Sequence, residues 1–472
     1  MSIDKINISE TLNNVERLLQ EDRSISPQVR AMIELLVVVI KLFAAKLGLN
    51  SRNSSKPPSS DPNRPRGSKR KVKGKKRKPG GQPGHQGSHI EQVKNPDQIE
   101  TLEIDRRTLP EGEYKHIGYE RRQVIEIEIS RQVTEYRAEI LADKAGNQYV
   151  AEFPAGITRP AQYGSNLKSQ SVYMSQQQLI PYERVQDYFS SQCGIGISTG
   201  SLFNFNKEAY RLLEEFENIT KRHLTAADVL HADETGININ GKLRWLHSNS
   251  NDLWTLFFPH DKRGMDAMKD MGVLEHFRGI LCHDHWWPYF RLECEHALCN
   301  AHIVRELERA WEQDGQNWAK QMQELLLEIK ECVEKSGGKV SKKAAKNFRK
   351  RYRTILTKAN AECPAPEAPT KPKRGRIKKT KSRNLLERLR DYETEVLRFM
   401  TDKRVPFTNN QSEGDIRMTK VQQKISGCFR SLQGAKIFCR IRSYLSTCRK
   451  HGVEPTDALR LLFSGKLPKF AV

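Results

Sequence analysis

A chain of 472 residues exceeds one ordinary domain and predicts two to four folded units. Its 80 Lys and Arg against 57 Asp and Glu leave a formal net charge of +23, which points to a polyanionic partner, nucleic acid first, because phosphate neutralisation dominates such binding. A polar N-terminus of mixed charge, and a most apolar stretch (31–49) broken by Glu34, Lys41 and Lys46, exclude a secreted or membrane-spanning protein; nine scattered cysteines read as reduced thiols, and the expected location is the cytosol.

Residues 1–49 are predicted helical. Leu12, Val15, Leu18 and Leu19 recur at helical spacing, Ser24 and Pro27 restart a helix, and Met32, Leu36, Val39, Phe43 and Leu47 follow at steps of three or four. That spacing suits a short coiled coil and hence a homo-oligomer, since the polar linker that follows leaves the helix no core of its own. Residues 50–89 are a Ser/Pro/Asn linker and then a block without acids: Arg64, Arg66, Lys69, Arg70, Lys71, Lys73, Lys75, Lys76, Arg77 and Lys78. Such a block cannot bury enough to fold alone and reads as an arm that orders on a DNA backbone.

Residues 90–160 alternate apolar and polar side chains, notably over 121–129 and 133–141, and predict a small β-rich domain. The stretch holds no Cys, so no thiolate zinc site can be built in it. Residues 161–222 predict three short helices (167–179, 182–190, 199–213) around Gly194-Ile-Gly-Ile-Ser. They resemble a helix-turn-helix as well as they resemble a plain connector.

Residues 223–311 hold the chemistry. A β-prone run delivers Asp233 to a strand end, two more strands follow over 244–250 and 253–259, and a polar turn (249–252) joins them into an antiparallel meander. A helix over 264–277 then leads to a strand over 279–283 and to Asp284. Two strand-borne carboxylates can hold hard divalent cations against phosphate oxygens. Cys299 and His302, as one Cys-x-x-His, would need two further ligands for zinc. Residues 312–402 read as a helical insertion, with a basic stretch at 342–351 and a basic loop at 364–383. In the last unit, 403–472, Asn409 or Asn410 can cap a helix on which Glu413, Arg417 and Lys420 share one face. Taken alone, that pattern is an ordinary i,i+4 ion pair.

The motifs together say more. Asn409-Asn410-x-x-Glu413-x-x-Ile416-Arg417, followed by Lys424-Ile-Ser-Gly-Cys-Phe-Arg430-Ser, resembles the C-terminal signature of the IS66 family of bacterial transposases. Ala232-Asp233-Glu-Thr-Gly resembles that family's first catalytic motif, His283-Asp284-His-Trp-Trp-Pro-Tyr its second, and Cys299-Asn-Ala-His302-Ile-Val-Arg305 its C-x-A-H-x-x-R. The linker motifs at 53–61 and 79–87 match as well.

The resemblance implies an α/β fold with an RNase H-like mixed sheet flanked by helices. Asp233, Asp284 and Glu413 would converge on two Mg²⁺ ions, with Mn²⁺ as a substitute. Arg417, Lys420, Lys424 and Arg430 would face DNA. His231, His283, His285, Cys299 and His302 would surround the carboxylates in supporting roles. The implied activity is Mg²⁺-dependent cleavage at the ends of an insertion sequence and strand transfer into target double-stranded DNA, with small companion proteins and no membrane partner. Many family members carry a cysteine zinc module ahead of the core; this chain has no Cys before Cys193, so no structural zinc is expected. Two competing readings stay open, a structure-selective nuclease without strand transfer and a non-catalytic DNA-binding regulator. The carboxylate reading further requires Asp233 and Asp284 on adjacent strands, and an insertion that leaves and re-enters the core at neighbouring points.

Overall fold

The computed structural model of the chain describes residues 2–3, 6–22, 24–47, 49–50, 53–54, 90–366 and 379–472. The basic arm at 64–78 and most of the basic loop at 364–383 lie outside the described residues. A two-residue strand pair, β1 (Ser2–Ile3) and β2 (Ile6–Asn7), precedes α1 (Ile8–Glu21) and α2 (Pro27–Leu47). The two helices pack together, burying Leu12, Leu19 and Val37, and Lys41 pairs with Glu16 at 2.5 Å. Met32, Leu35, Leu36, Leu42 and Phe43 of α2 remain exposed. Among the described residues no helix is long and apolar enough to cross a membrane.

Residues 90–160 correct the expectation of a β-rich domain. The only strands described there are β3 (Ile140–Ala142) and β4 (Gln148–Val150), an antiparallel pair whose turn is held by Asp143, which accepts from the amides of Ala145 and Asn147. The alternating run at 121–129 forms no strand. Val124, Ile127 and Val133 are 83%, 82% and 82% exposed. Alternation supplies an apolar face, but a strand also needs a partner ladder and something to cover that face, and the described chain offers neither.

The three predicted helices follow, α3 (Ser165–Val172), extended by a π-turn at Tyr173–Gln177, α4 (Tyr182–Cys193) and α5 (Thr199–Leu212), and a fourth, α6 (Glu214–Thr225), comes directly after them. Gly194 ends α4 in the left-handed region (φ 60°), and the Ser198 side chain accepts from Ser201 N to cap α5.

The central sheet contains β5 (Val229–Ile239), β6 (Lys242–Ser250), β7 (Thr255–His260), β8 (Ile280–His283) and β9 (Glu295–Leu298), with α7 (Met265–Met271) between β7 and β8. Its order is β7-β6-β5-β8-β9; the first two pairings are antiparallel and the last two parallel. The meander is present, but β5 does not stop at Asp233. It runs on to Asn240-Gly241, where φ values of 50° and 77° make the tight hairpin for which Asn-Gly is the favoured pair. Asp233 is therefore mid-strand. Gly279, ahead of β8, tolerates no side chain, because an added Cβ would lie 2.5 Å from the Asp228 carbonyl oxygen.

After β9 come α8 (Asn300–Glu312), α9 (Asn317–Lys335), α10 (Lys342–Glu362), α11 (Lys381–Asp391) and α12 (Glu393–Leu397), then α13 (Asn410–Ser426), α14 (Leu432–Lys450) and α15 (Pro455–Phe463). Three apolar clusters hold these layers. Leu230, Ala232, Leu256 and Leu281 pack with helices that include α5, α6, α14 and α15. Ile237, Leu246 and Phe257 pack under Ile416 and Phe438. Ile280, Cys282, Ala297 and Leu298 join residues of α8 to α12. The chain leaves the sheet and returns toward it at neighbouring points, but at Asn300 and Phe407 rather than at the expected 312 and 402: Asn300 N donates to Phe407 O (3.1 Å) and Asn300 Nδ2 to Val396 O (3.0 Å). Edge strand β7 is covered by α14: Thr255 N donates to Thr447 Oγ1 (3.1 Å) and Phe257 N to Ser443 Oγ (2.8 Å).

Candidate active site

The parallel ladder between β5 and β8 pairs His231 with Cys282. Two residues further along that register, just past the end of the ladder, Asp233 stands beside Asp284. Strand pairing thus brings together carboxylates that lie 51 positions apart in sequence. Burial pushes the Asp233 carboxyl up to about 8, and the charges of Glu234, Asp284 and Glu413 add to that rise. Only one hydrogen bond, from Glu234 N to Asp233 Oδ1 (2.9 Å), acts the other way. Asp284 Oδ1 accepts from Trp286 N at 3.0 Å.

Glu413 arrives on the first turn of α13, and Asn409 sets where that helix starts. The Asn409 side chain does not cap it. Its Nδ2 donates to Ala232 O (2.9 Å), its Oδ1 meets His231 Nδ1 (2.6 Å), and its backbone N donates to Cys299 Sγ (3.2 Å). The N-cap is therefore tied to β5 next to Asp233 and to the start of α8. Around Glu413 Oε1, His302 Nδ1 lies at 3.7 Å and Arg305 Nη2 at 4.0 Å, both too long for hydrogen bonds. Glu413 Oε1 and His302 Nδ1 are buried without partners. Ligand atoms of Cys299, His302 and Glu413 lie within 4.8 Å of one another, so the lone Cys-x-x-His gains a third donor from α13. Burial, then Arg305, lowers the His302 pKa and keeps the imidazole neutral, the form able to ligate.

The other histidines have structural partners. Burial drives His283 down to about 3; its Nε2 meets His296 Nδ1 at 3.0 Å, and its Nδ1 contacts the Asp284 carbonyl. His285 is lowered to about 4 by burial and packs on Tyr392. His231 is lowered, again chiefly by burial, and engages Asn409 rather than a carboxylate. The predicted DNA-facing cations Arg417, Lys420, Lys424 and Arg430 are all exposed, and Lys420 Nζ also donates to Gly236 O at 2.7 Å, bracing α13 on β5. No ion pair joins Glu413 to Arg417 among the described residues.

Sequence reasoning passed over Glu234. Its side chain is 2% exposed; Oε1 accepts from Arg263 Nε (2.9 Å) and Nη2 (2.5 Å), and Oε2 from the buried Tyr289 hydroxyl (2.5 Å). The Arg263 guanidinium lies over both Trp245 (4.8 Å) and Trp286 (4.3 Å). Glu234 thus fastens the segment that follows Asp284 to the strand that carries Asp233. A charged residue inside a β5 otherwise rich in apolar side chains was the available signal.

Asp233, with its carboxyl pushed up by burial, faces the charges of Asp284 and Glu413, and Glu413 offers an orphaned oxygen. Acceptor-only groups of this kind fit divalent cations. A family profile described as "Transposase IS66 family" matches residues 160–437, well over half of the chain. A second, described as a family of unknown function (DUF6444), matches residues 3–91. No curated protein matches the chain.

Proposed function

Because the chain belongs to the IS66 family of transposases, we propose that it cuts and joins DNA as a DDE-type enzyme on an RNase H-like core, with Asp233, Asp284 and Glu413 holding Mg²⁺, or Mn²⁺ in its place. The observation that carries this reading is the rise of Asp233 to about 8 beside two further carboxylates from separate elements, a charge arrangement that bound cations would relieve. Strand order 3-2-1-4-5 in the mixed sheet supports the RNase H-like assignment. Divalent cations bound there supply Lewis acidity at a scissile phosphodiester and lower the pKa of an attacking water, the freed 3′-OH serving as the nucleophile for joining.

The protein's own part is to hold and orient. Asp233 and Asp284 present oxygens from neighbouring strands, and the Asn409 contacts with Ala232 and His231 keep Glu413 in register with them. Glu234, through Tyr289 and Arg263, fixes the segment behind Asp284. Arg305 and the exposed Arg417 are cations available to non-bridging phosphate oxygens. The arm at 64–78 and the α4–α5 pair are DNA contacts in this reading, and the exposed apolar residues of α2 support self-association.

Asp233→Ala, Asp284→Ala and Glu413→Ala are each expected to lower Mg²⁺-dependent cleavage of an end-containing duplex by about 10³-fold or more, an effect of the size seen for charge stabilisation at a reacting phosphate. Binding to the same duplex should stay within about threefold, since affinity is spread over many backbone contacts. Full cleavage by any variant removes that residue from the site. Cleavage without joined products selects the nuclease reading instead.

A further inference from the structure

The insertion carries a second charged site, away from the carboxylates. A concavity of about 1170 Å³ runs along α10, lined by Lys339, Lys342, Lys343, Lys346, Lys350 and Arg353 among others, with no Asp or Glu in its walls. Arg353 and its neighbour Arg349 reach Glu393 (2.8 and 3.0 Å), but the five lysines have no carboxylate partner among the described residues. Helix periodicity produces this arrangement. Ala345, Phe348, Tyr352, Leu356 and Ala359 are buried inward, so Lys343, Lys346, Lys350 and Arg353 line up outward at steps of three and four. At 1.5 Å per residue that row spans about 15 Å, the reach of several phosphates spaced about 3.4 Å apart along one strand of a duplex.

The ordinary explanation, a solvated helix face, is illustrated by α9 in the same insertion. There the outward charges alternate in sign, with Lys330–Glu334 and Lys335–Glu331 as i,i+4 pairs. The lysines of the α10 row have no such relief, and an outside polyanion would offset their mutual repulsion. The groove also has a fixed footing. Val340 N donates to Met400 O (3.0 Å), and Thr401, twelve residues ahead of Glu413, lines the groove as well.

We propose that the α10 groove binds the sugar–phosphate backbone of double-stranded DNA, independently of sequence, as a site separate from the carboxylate cluster. The proposal takes from the functional reading only that the polyanion is DNA. Lysine ammonium groups act as point charges on phosphate oxygens and do not form the paired contacts that read base edges, which is why no sequence preference arises here.

The test measures affinity of the full-length protein for a duplex of unrelated sequence in EDTA across a salt series, so that neither cleavage nor end recognition enters. In K343Q/K346Q/K350Q the slope of log K against log salt should fall by roughly 2.7, about 0.9 for each lost phosphate contact, with at least a tenfold loss of affinity near 0.1 M salt. K343R/K346R/K350R should retain the parent slope. A surface control, K269Q/K466Q/K469Q, should change the slope by less than about 1. Because the three lysines are exposed and the buried face of α10 is untouched, an unchanged melting temperature is expected to accompany the loss. An unchanged slope in the α10 triple, or an equal fall in the control, would overturn the proposal. Full cleavage by the carboxylate variants, which would sink the catalytic reading, would leave this measurement standing.

Discussion

Two regions of this protein show the same alternation of apolar and polar residues and meet opposite ends. Residues 229–260 fold into β5, β6 and β7, with Leu230, Leu246 and Leu256 fully buried. Residues 121–141 keep Val124, Ile127 and Val133 in solvent and form almost no ladder. The difference is not in the strands' own residues. The first region has a tight Asn-Gly turn that pairs it locally, and helices from three other parts of the chain that cover both faces. The second has neither within the described residues. Period-two patterning is thus a statement of what a segment could bury, and tertiary supply decides whether it does.

That contrast can be broken or sharpened by substitution. The largest effect is expected at Glu234, where Glu234→Ala leaves the buried Tyr289 hydroxyl unsatisfied and strips Arg263 of its charge-assisted hydrogen bonds, and should cost about 3–5 kcal/mol. Denaturant unfolding reads it; Arg263→Met added to Glu234→Ala should recover part of the loss, and no recovery would mean that the pair is not the source. Leu246→Ala comes next, at about 2–5 kcal/mol for a fully buried leucine. Its counterpart Ile127→Ala should change stability by less than about 0.5 kcal/mol. Equal losses at the two positions would show that 121–141 is covered in solution and erase the contrast.

A pH-dependent effect is expected from titration. In metal-free protein Asp233 has its carboxyl raised from 3.8 to about 8, so between those values the folded state binds the proton more tightly than the unfolded chain. Stability from this residue is therefore full below pH 3.8 and declines as pH rises toward about 8. His283, lowered from 6.5 to about 3, acts in the opposite sense, and its contribution is lost as pH falls from 6.5 toward about 3. Asp233→Asn should abolish the decline on the alkaline side and leave the acid side unchanged. Mg²⁺ should also suppress that decline. A pH profile identical in parent and Asp233→Asn would refute the assigned shift.

The parts legible in the sequence were those specified locally. Strands β6, β7 and β8, the helices α3 to α5, and the passage from Asp284 to Glu413 across a helical insertion could all be read from patterning and turn residues. The length of β5 could have been read too, had Asn240-Gly241 been weighed as a hairpin signal. Other features depend on partners remote in sequence. Asn409 looks like a capping residue, yet its side chain serves Ala232 and His231 some 177 residues away. Lys420 looks like a DNA contact, yet it also donates to Gly236 O. Four-residue β9 offers too little pattern to be recognised without β8 beside it. Glu234 was hidden by standing next to the more conspicuous Asp233.

The α14 cover over β7 has an architectural meaning. Ser443 and Thr447 are one helical turn apart, about 6 Å, close to the two-residue repeat of a strand, so their hydroxyls meet alternate outward amides in phase. Each hydroxyl also turns its own proton back, Ser443 to Cys439 O and Thr447 to Thr255 O. A helix here plays the part of a sixth strand while offering no further ladder to extend. At the opposite margin Arg398 Nε donates to His296 O of β9 (2.8 Å). With both borders occupied by side chains, the sheet cannot template the addition of a foreign strand. If copies of this protein associate as proposed, they are expected to join through side-chain surfaces such as α2, leaving the central sheet a closed unit.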